Sequence, residues 1–482
     1  MQQHLRTTLV TTASAALVSG LLLAGGGSAA AAPSGMSGDF NGDGYRDLAI
    51  AAPIGKAGNK SGAGYVAVVY GTKSGLDKSK RTIISQADAA IPGTPEGSDY
   101  FGDRLTTGDL DGDGYTDLVV GVHAERIGKT DSFGVITVVW GSPKGLTKAV
   151  DLTTPLPKYR NELGWGLATG DFDGDGRTDL AAVNIAAPEL NIFKGPISRG
   201  GKAAALVGID THDQTGINAD RIFAGNVNGD GATDLLVMGQ QEKGKGYATR
   251  SVLYKGATTG LKPAGKVAGG YDAVIADVDK DGYGDIVTGN FMEKAGDEPN
   301  GGPGGAVTVT YGSAAGLSTR TPARITQATA GVPGTATKND RFGWSLSAGD
   351  TNGDKYADIA VGVPGKDVGG RTDAGAVVVL RGSAKGLTGT GSKSFTQNTA
   401  GVPDTAEARD QFGGSVRLTD SNKDGRAELV AGAFAENDGA GAVWLFKTTS
   451  GSGITATGST TFGATSVGGP KGLSYFGDVL AG

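Results

Sequence analysis

A nine-residue, aspartate-rich segment recurs seven times in this chain of 482 residues, and this repetition limits the possible folds more than any other feature. The copies begin at residues 39, 109, 171, 226, 277, 350 and 420, so by subtraction they lie 51 to 73 residues apart. The second copy reads DLDGDGYTD and is followed by the apolar run LVVGV. Repeated units of this length each bury a face against a neighbour, which indicates a repeat architecture.

The aspartates of each copy stand at a spacing that suits a calcium ion. Calcium takes about six to eight hard oxygen ligands. Positions 1, 3, 5 and 9 of the loop would supply side-chain oxygens and position 7 a backbone carbonyl, while glycines at positions 4 and 6 permit the tight path. The sequence therefore predicts several structural Ca²⁺ ions. The predicted ligands are Asp39, Asn41, Asp43, Tyr45 and Asp47; Asp109, Asp111, Asp113, Tyr115 and Asp117; Asp171, Asp173, Asp175, Arg177 and Asp179; Asn226, Asn228, Asp230, Ala232 and Asp234; Asp277, Asp279, Asp281, Tyr283 and Asp285; Asp350, Asn352, Asp354, Tyr356 and Asp358; and Asp420, Asn422, Asp424, Arg426 and Glu428.

The seven loops do not offer equal charge. The second, third and fifth loops have four carboxylates each, whereas the first, sixth and seventh have three and an asparagine at position 3. The fourth loop has carboxylates at positions 5 and 9 alone, so we expect it to be the weakest site or empty.

A helix–loop–helix calcium site is the obvious rival interpretation of such loops. It requires a bidentate glutamate at position 12, where the first loop has Ile50 and the second has Val120. The runs that follow the loops, such as DLVVGV and DIAVGV, are rich in β-branched residues and indicate strands.

Each repeat can be divided into four short strands joined by glycine-rich turns. Around the second loop, YFGDRLTTG (100–108) leads in, DLVVGVH (117–123) follows, and VITVVWG (135–141) precedes an SPKGL turn and a further strand. One such antiparallel sheet does not bury both of its faces. We therefore predict an all-β fold, a seven-bladed β-propeller of four-stranded antiparallel blades over residues 38–482.

The two ends of this region indicate how the ring closes. The first loop, at 39–47, has no inner strand before it, whereas YFGDVLAG (475–482) repeats the strand that precedes the second loop. Placed before Asp39, this segment completes the missing strand. The sequence thus predicts that the N- and C-terminal segments share one blade; an open stack of units is the alternative.

These features resemble the FG-GAP repeats of the integrin alpha-subunit N-terminal propeller, over nearly all of residues 38–482. The resemblance rests on the loops, on Ala52–Pro53 and Val363–Pro364, and on phenylalanine-glycine pairs at 101–102, 342–343, 412–413 and 476–477. It implies calcium in the loop between the first two strands of a blade. The third repeat has Leu163–Gly164 instead, and the fourth and fifth lack the pair, so we expect these blades to be the least regular.

Residues 1–31 have the features of an export signal. Arg6 precedes an apolar stretch up to Leu23, and an A-x-A pattern follows at 29–31. We expect cleavage near Ala31, a short linker at 32–37 and a secreted, extracellular propeller; a retained membrane anchor is the alternative. Later segments fall short of the roughly 20 apolar residues of a spanning helix, so no stable membrane insertion is expected.

Composition excludes several functions. The chain has no cysteine, which excludes disulfides, thiol catalysis and cysteine-bound zinc. Its formal net charge of −6 argues against nucleic acid as a partner.

The longer connections of the repeats predict where a ligand binds. In a four-stranded meander the aspartate loops and the GSxxGL turns share one rim, so 53–64, 123–134, 290–305 and 364–375 lie on the other. Long loops on a rigid scaffold are where binding usually resides. We therefore expect a monomeric extracellular binding or adhesion module for a protein or glycan ligand, with structural calcium.

A secreted enzyme, such as a propeller hydrolase or lyase acting on polysaccharide or lipid, is the alternative hypothesis. Only His123 and His212 remain after the signal, G-x-S-x-G is absent, and the carboxylates are assigned to calcium. We therefore predict no catalytic residues. A lectin is the intermediate case, but the tryptophans lie in apolar strand contexts and are expected to pack in the core; they are Trp140, Trp165, Trp344 and Trp444.

Overall fold

Seven four-stranded antiparallel sheets follow one another along the chain. The computed structural model describes residues 34–127, 133–154, 162–185, 189–243, 246–293 and 300–482. We number these sheets blades 1 to 7 and their strands first to fourth from the inside outward. The first strands of neighbouring blades pack side by side around the whole ring, including blade 7 against blade 1. The prediction of an all-β, seven-bladed propeller is confirmed.

The strands of each blade pair with their neighbours in the order first to fourth. Blades 1 to 4 have the bounds Leu480–Ala481, Leu48–Ala52, Tyr65–Tyr70 and Asp77–Ile84; Arg104–Gly108, Asp117–Val122, Val135–Val139 and Ala149–Leu152; Leu163–Gly170, Asp179–Asn184, Glu189–Lys194 and Ala205–Asp210; Asn218–Gly225, Asp234–Lys243, Gly246–Lys255 and Lys262–Val267. Blades 5 to 7 have the bounds Asp272–Ala276, Asp285–Asn290, Ala306–Thr310 and Ala323–Ile325; Leu346–Gly349, Asp358–Val363, Ala376–Arg381 and Thr388–Phe395; Ser415–Thr419, Glu428–Ala433, Ala442–Thr449 and Gly453–Gly463. The short elements between them are the hairpin Gly312–Ser313 with Gly316–Leu317 and the helical turns Thr211–Thr215, Glu436–Gly439 and Ala464–Val467.

The second strands, which directly follow the aspartate loops, are buried along their whole length in several blades. Leu48–Ala52, Asp117–Val122 and Asp358–Val363 are examples. Each lies inside its own sheet and is covered by a neighbouring blade on both faces. This explains why the sequence shows continuous apolar runs there rather than alternation.

The hydrophobic core is divided among the interfaces between blades. The described residues contain seven buried clusters, each with side chains from two successive blades. One cluster joins Val68 of blade 1 to Val120 of blade 2, and another joins Val430 of blade 7 to Leu48 of blade 1. Because the interfaces form a complete circle, each sheet buries both faces without a second layer of another type.

The C-terminal strand completes blade 1. Ala481 pairs with Ala49 and Leu480 pairs with Ile50 in antiparallel register. The backbone N–H of Ala51 donates to the Val479 carbonyl at 2.9 Å, and that of Gly477 donates to the Ala51 carbonyl at 2.9 Å. The predicted sharing of one blade by the two end segments is confirmed, and an open stack is excluded.

The phenylalanine-glycine pairs fasten the four blades that contain them to the blade before. Phe101 and Phe412 are fully buried, and their N–H groups donate to carbonyls of the preceding blade, those of Ala63 and Ala374, both at 2.9 Å. Gly102 follows at φ 98°, a left-handed conformation that favours glycine, and a Cβ there would lie 3.0 Å from a Val66 methyl. The pair is therefore a joint between blades.

The blades without the pair are only partly irregular. The first strands of blades 3 and 4 contain register shifts, between Leu163 and Gly166 and between Ala219 and Arg221. Blades 1, 6 and 7 contain register shifts as well, between their third and fourth strands. For blade 5 the expectation is wrong, since Asp272–Ala276 pairs continuously with its neighbour.

The predicted export signal at 1–31 and the start of the linker lie outside the described residues, so the domain boundary stays a prediction. Within the described ranges, none of the helices has both the length and the apolar character needed to cross a bilayer.

Candidate metal-binding loops

The nine-residue loops precede the second strand of every blade and, in blades 2 to 7, connect it to the first strand. Their backbone is organised around the position-1 side chain. In the second loop, Asp109 Oδ1 accepts the N–H of Gly112 and Oδ2 accepts that of Gly114, both at 2.8 Å. These two glycines have φ of 77° and 88°. The loop therefore wraps around one carboxylate, and its glycines adopt the backbone that other residues disfavour.

The position-9 side chain has a structural role that the sequence interpretation missed. Asp117 Oδ2 accepts the Leu110 N–H, and its Oδ1 accepts the N–H of Gly141, which begins the GSxxGL turn, both at 2.9 Å. In blades 1 to 6 the turn glycine bonds to position 9 in this way at 2.8–3.0 Å, the pairs being Gly71–Asp47, Gly141–Asp117, Gly195–Asp179, Gly256–Asp234, Gly312–Asp285 and Gly382–Asp358. The loops and turns thus share one rim. The spacing is 24 residues in three of the six pairs and ranges from 16 to 27 in the others, so no fixed spacing in the sequence signals this contact.

Burial at position 9 disfavours the charged carboxylate. It raises the pKa of Asp47 and of Asp117 to about 8, although the N–H groups that donate to each side chain act in the opposite direction. A cation beside such a group favours its charged form. The backbone N–H groups thus offset the cost of burying these charged carboxylates only in part, and a bound cation would favour their charged form further.

Four of the loops gather three carboxylates closely enough to share one ion. Among the described residues, carboxylate oxygens within 4.8 Å of one another occur in the second, third, fifth and seventh loops: Asp109, Asp111 and Asp117; Asp171, Asp173 and Asp179; Asp277, Asp279 and Asp285; Asp420, Asp424 and Glu428. The first three are the loops with four acids. In the seventh, the longer Glu428 stands where the other loops have aspartate.

The residue at position 3 separates the loops into two kinds. Where it is asparagine, its amide donates to an acid of the same loop, as Asn228 does to Asp230 at 2.9 Å and Asn352 to Asp354 at 2.8 Å. Where it is aspartate, a basic side chain from outside the loop pairs with it, the pairs being Arg199–Asp111 at 2.6 Å, Lys194–Asp173 at 2.5 Å and Arg320–Asp279 at 2.7 Å. In the second kind of loop the position-3 carboxylate is therefore paired with a positive charge from outside the loop.

The donor chemistry of these loops fits calcium. Asp173 Oδ1 and Asp279 Oδ1 are buried without a hydrogen-bond partner, and the proposed donors are all oxygens. Hard cations prefer such sets. The sixth loop fits less well than its sequence suggests, because its acids are not among those that converge, and Arg381 Nη1 donates to both Asp358 and Thr351 at 2.7 Å. The role of each predicted ligand, including the position-7 carbonyls, stays a prediction.

The opposite rim carries two groups of aromatic side chains. In one, the Phe291 ring lies 4.6 Å from both Tyr271 and Trp344, and Arg341 lies 5.4 Å from the Trp344 ring. In the other group, the Trp165 and His123 rings meet edge-on with their centres 4.7 Å apart, and the Arg104 guanidinium lies 5.2 Å from the centre of the Trp165 ring.

The expectation that all four tryptophans pack in the core is wrong for two of them. Trp140 and Trp444 are buried, but Trp165 and Trp344 are half-buried. Both stand where the chain enters a first strand, so their side chains reach the rim. They line a cavity of about 450 Å³ around the inner strands, together with Phe291 and charged residues, which are Arg104, Arg221, Asp272, Arg417 and Asp478.

A ring of repeated blades with aspartate loops on one rim defines this chain as a repeat β-propeller. A family described as "FG-GAP repeat" matches residues 31–69 and 342–380, and one described as "FG-GAP-like repeat" matches residues 109–182. The chain is an FG-GAP repeat protein, distantly related to the propellers of integrin alpha chains and of phosphatidylinositol-glycan-specific phospholipase D.

The similar proteins include one named as a phospholipase and one named as an integrin chain. Phosphatidylinositol-glycan-specific phospholipase D of Rattus norvegicus is 30% identical over 224 residues, which are 46% of this chain and 26% of that protein. Integrin alpha-PS2 of Drosophila melanogaster is 31% identical over 229 residues, 42% of this chain and 15% of its own. The match thus spans about a quarter or less of these relatives. The solved structure of exotype rhamnogalacturonan lyase YesX covers 86% of this chain and 71% of its own, with 16% identity and a TM-score of 0.44.

Proposed function

We propose that this chain is an exported, calcium-stabilised propeller that binds an extracellular protein or glycan through the rim opposite the aspartate loops. The observation that carries the proposal is the half-buried tryptophan pair, Trp165 and Trp344, in the wall of one charged cavity. Tryptophan, tyrosine and arginine dominate binding energy at protein interfaces, and flat aromatic faces also stack on sugar rings. The family relationship to integrin alpha chains supports a binding role.

The calcium in this proposal is structural. The aspartate loops lie on the rim opposite the cavity. Their buried position-9 acids accept hydrogen bonds from the glycines that begin the turns between the third and fourth strands. A bound ion would hold the first three strands of a blade together at that rim. Residues 34–482 would thereby become a rigid platform for the cavity.

A ligand screen followed by substitution tests this function. Glycan arrays and extracellular protein libraries would be probed with and without Ca²⁺, and the bound ligand then titrated against Trp165→Ala and Trp344→Ala. We expect each substitution to weaken binding about 30-fold, as for a hot-spot side chain whose truncation costs about 2 kcal/mol.

The matched control is Tyr283→Ala, which removes an aromatic ring from the loop rim. The fourth loop already has alanine at the corresponding position, Ala232, so the change is tolerated by a loop of this kind. Unchanged affinity in both tryptophan variants, with their folds intact, would contradict the proposed binding surface.

A secreted hydrolase or lyase is the second candidate, because one relative is named a phospholipase D. At the cavity rim, His123 Nδ1 lies 3.3 Å from Asp103 Oδ2, which is the kind of pair that can move a proton. Turnover of phospholipid or polysaccharide that is lost in His123→Gln would favour this function over simple binding.

A further inference from the structure

The sixth aspartate loop has the same ligand residues as the first loop but a different neighbour at its buried acid. Positions 1, 3, 5, 7 and 9 are Asp, Asn, Asp, Tyr and Asp in both loops, so the ligand residues alone predict equal sites. Two of the differences lie next to position 9. Position 2 is Phe40 in the first loop and Thr351 in the sixth, and the residue before the turn glycine is Tyr70 in blade 1 and Arg381 in blade 6.

The guanidinium of Arg381 is fixed on the position-9 carboxylate of the sixth loop. Its Nη1 donates to Asp358 Oδ2 and to Thr351 Oγ1, both at 2.7 Å, and the Thr351 hydroxyl in turn donates to Asp358 Oδ2. Asp358 and Thr351 are fully buried. In blade 1 the Tyr70 hydroxyl shares a hydrogen bond with Thr82 Oγ1 at 3.1 Å and supplies no charge. The negative charge of Asp358 is therefore paired within the protein.

The same side chain joins the sixth loop to the next blade. Arg381 Nη2 donates to the Ser452 carbonyl at 2.8 Å, and Ser452 lies between the third and fourth strands of blade 7. Beside it, the Gly451 N–H donates to the Asn352 carbonyl at 3.0 Å. A guanidinium presents several donors in one rigid plane, so it can hold oxygens from two segments in a fixed arrangement. Arg381 thus fastens blade 6 to blade 7 at the rim of the aspartate loops.

The basic side chains at three other loops are more exposed and contact a different acid. Arg199, Lys194 and Arg320 pair with position-3 aspartates and are 47%, 30% and 41% exposed. Arg381 is 11% exposed and pairs with position 9. The loops of the first three are among the four whose carboxylates converge, and the sixth is not. An exposed pair separates at little cost, whereas separation of Arg381 from Asp358 leaves a buried charge without a partner.

We propose that Arg381 closes the sixth loop to Ca²⁺ and neutralises its position-9 acid in place of an ion. The inference rests on the structural calcium of the proposed function. A calcium ion lies about 2.3–2.6 Å from each carboxylate oxygen that binds it. An ion bound to Asp358 would therefore stand beside the guanidinium, and two positive charges at such a distance repel each other. The residue before the turn glycine is thus a determinant of metal binding that the acids of the loop do not reveal.

A double substitution tests whether the sixth loop is closed by Arg381. Thr351→Val with Arg381→Tyr gives blade 6 the two residues that blade 5 has, Val278 and Tyr311, beside a loop whose carboxylates converge. The number of Ca²⁺ ions per chain would be measured by native mass spectrometry and by equilibrium dialysis with radioactive calcium. We expect the variant to bind one ion more than the parent chain. An unchanged number in a folded variant overturns the proposal.

The matched control is Lys255→Tyr, which removes a basic residue from the same position of blade 4. Lys255 is 40% exposed and pairs with Asp230 at position 5 of its loop, at 3.2 Å, rather than with position 9. We expect this variant to bind as many ions as the parent chain. An additional ion in this variant as well would mean that any loss of positive charge near a loop creates a site, which counts against the proposal.

Hydrogen exchange of the parent chain decides the question if the double variant does not fold. Amide exchange would be followed by mass spectrometry in CaCl₂ and in EDTA, on peptides that cover 109–117 and 350–358. We expect EDTA to speed exchange in the second loop and to leave the sixth unchanged, and an equal increase in both loops overturns the proposal. Failure of the structural calcium itself would look different, as a parent chain without bound ions whose exchange EDTA changes in neither loop. That result overturns both proposals.

Discussion

Deletion of residues 475–482 is expected to prevent cooperative folding of the whole propeller. The deletion removes the first strand of blade 1, its hydrogen bonds to Ala51, and the fully buried Phe476. Loss of a buried phenylalanine alone costs about 3–5 kcal/mol, and the total stability of a domain is about 5–15 kcal/mol. Circular dichroism during heating and gel filtration would show the loss of a sharp transition and of a compact elution volume.

A circular permutant is the matched control for this deletion. Gly38 and Gly482 approach so closely that a Cβ on Gly38 would clash with the Gly482 backbone, so a short linker can join them. New ends between Gly369 and Gly370 lie in an exposed connection. We expect the permutant to retain a single cooperative transition near that of the parent. If the deleted chain melts like the parent, the shared blade does not close the ring in solution.

Removal of calcium is expected to lower the melting temperature by several degrees. At a free concentration tenfold above the dissociation constant, one site stabilises the fold by about 1.4 kcal/mol. Four such loops together give about 6 kcal/mol, or roughly 6 °C for a propeller of this size. Differential scanning calorimetry in EDTA and in millimolar CaCl₂ measures the difference, and MgCl₂ at equal ionic strength controls for screening.

Two isosteric substitutions show whether the converging loops are responsible. Asp111→Asn removes a charge from the second loop, where three carboxylates converge, and Asp230→Asn removes one from the fourth loop, where we expect the weakest site. Asp111→Asn should reduce the calcium-dependent increase in melting temperature by less than a quarter, because the seventh loop converges with asparagine at the same position, and Asp230→Asn should leave it nearly unchanged. Equal effects of the two substitutions would refute the ranking of the loops.

The fold could be predicted because its information is local and repeated. Every aspartate loop is followed by a buried strand, and the segment at 475–482 repeats the strand that the first loop lacks. The loops could be recognised for the same reason, since their acids lie within nine residues. The carboxylates converge in the three loops that have four acids, but also in the seventh, which has three like the first and the sixth. Arg381, which pairs with Asp358 of the sixth loop, arrives from the third strand of its blade and could not be recognised from the loop sequence.

The features that could not be predicted depend on contacts between distant segments. Gln397 and Glu436 are 39 residues apart, and their contact requires that the connection between blades 6 and 7 pack against blade 7. The exposure of Trp165 and Trp344 depends on how far the inner strands extend toward the central cavity. An apolar sequence context indicates a strand but does not show which strand end reaches a rim.

The pairing of Ile50 with Leu480 has a consequence for synthesis. By subtraction, 430 residues separate these partners, so the ring stays open until the ribosome has released almost the entire chain. Contacts of such long range form slowly. Blade 1 therefore lacks its first strand until synthesis is almost complete, and closure of the ring is a single late event.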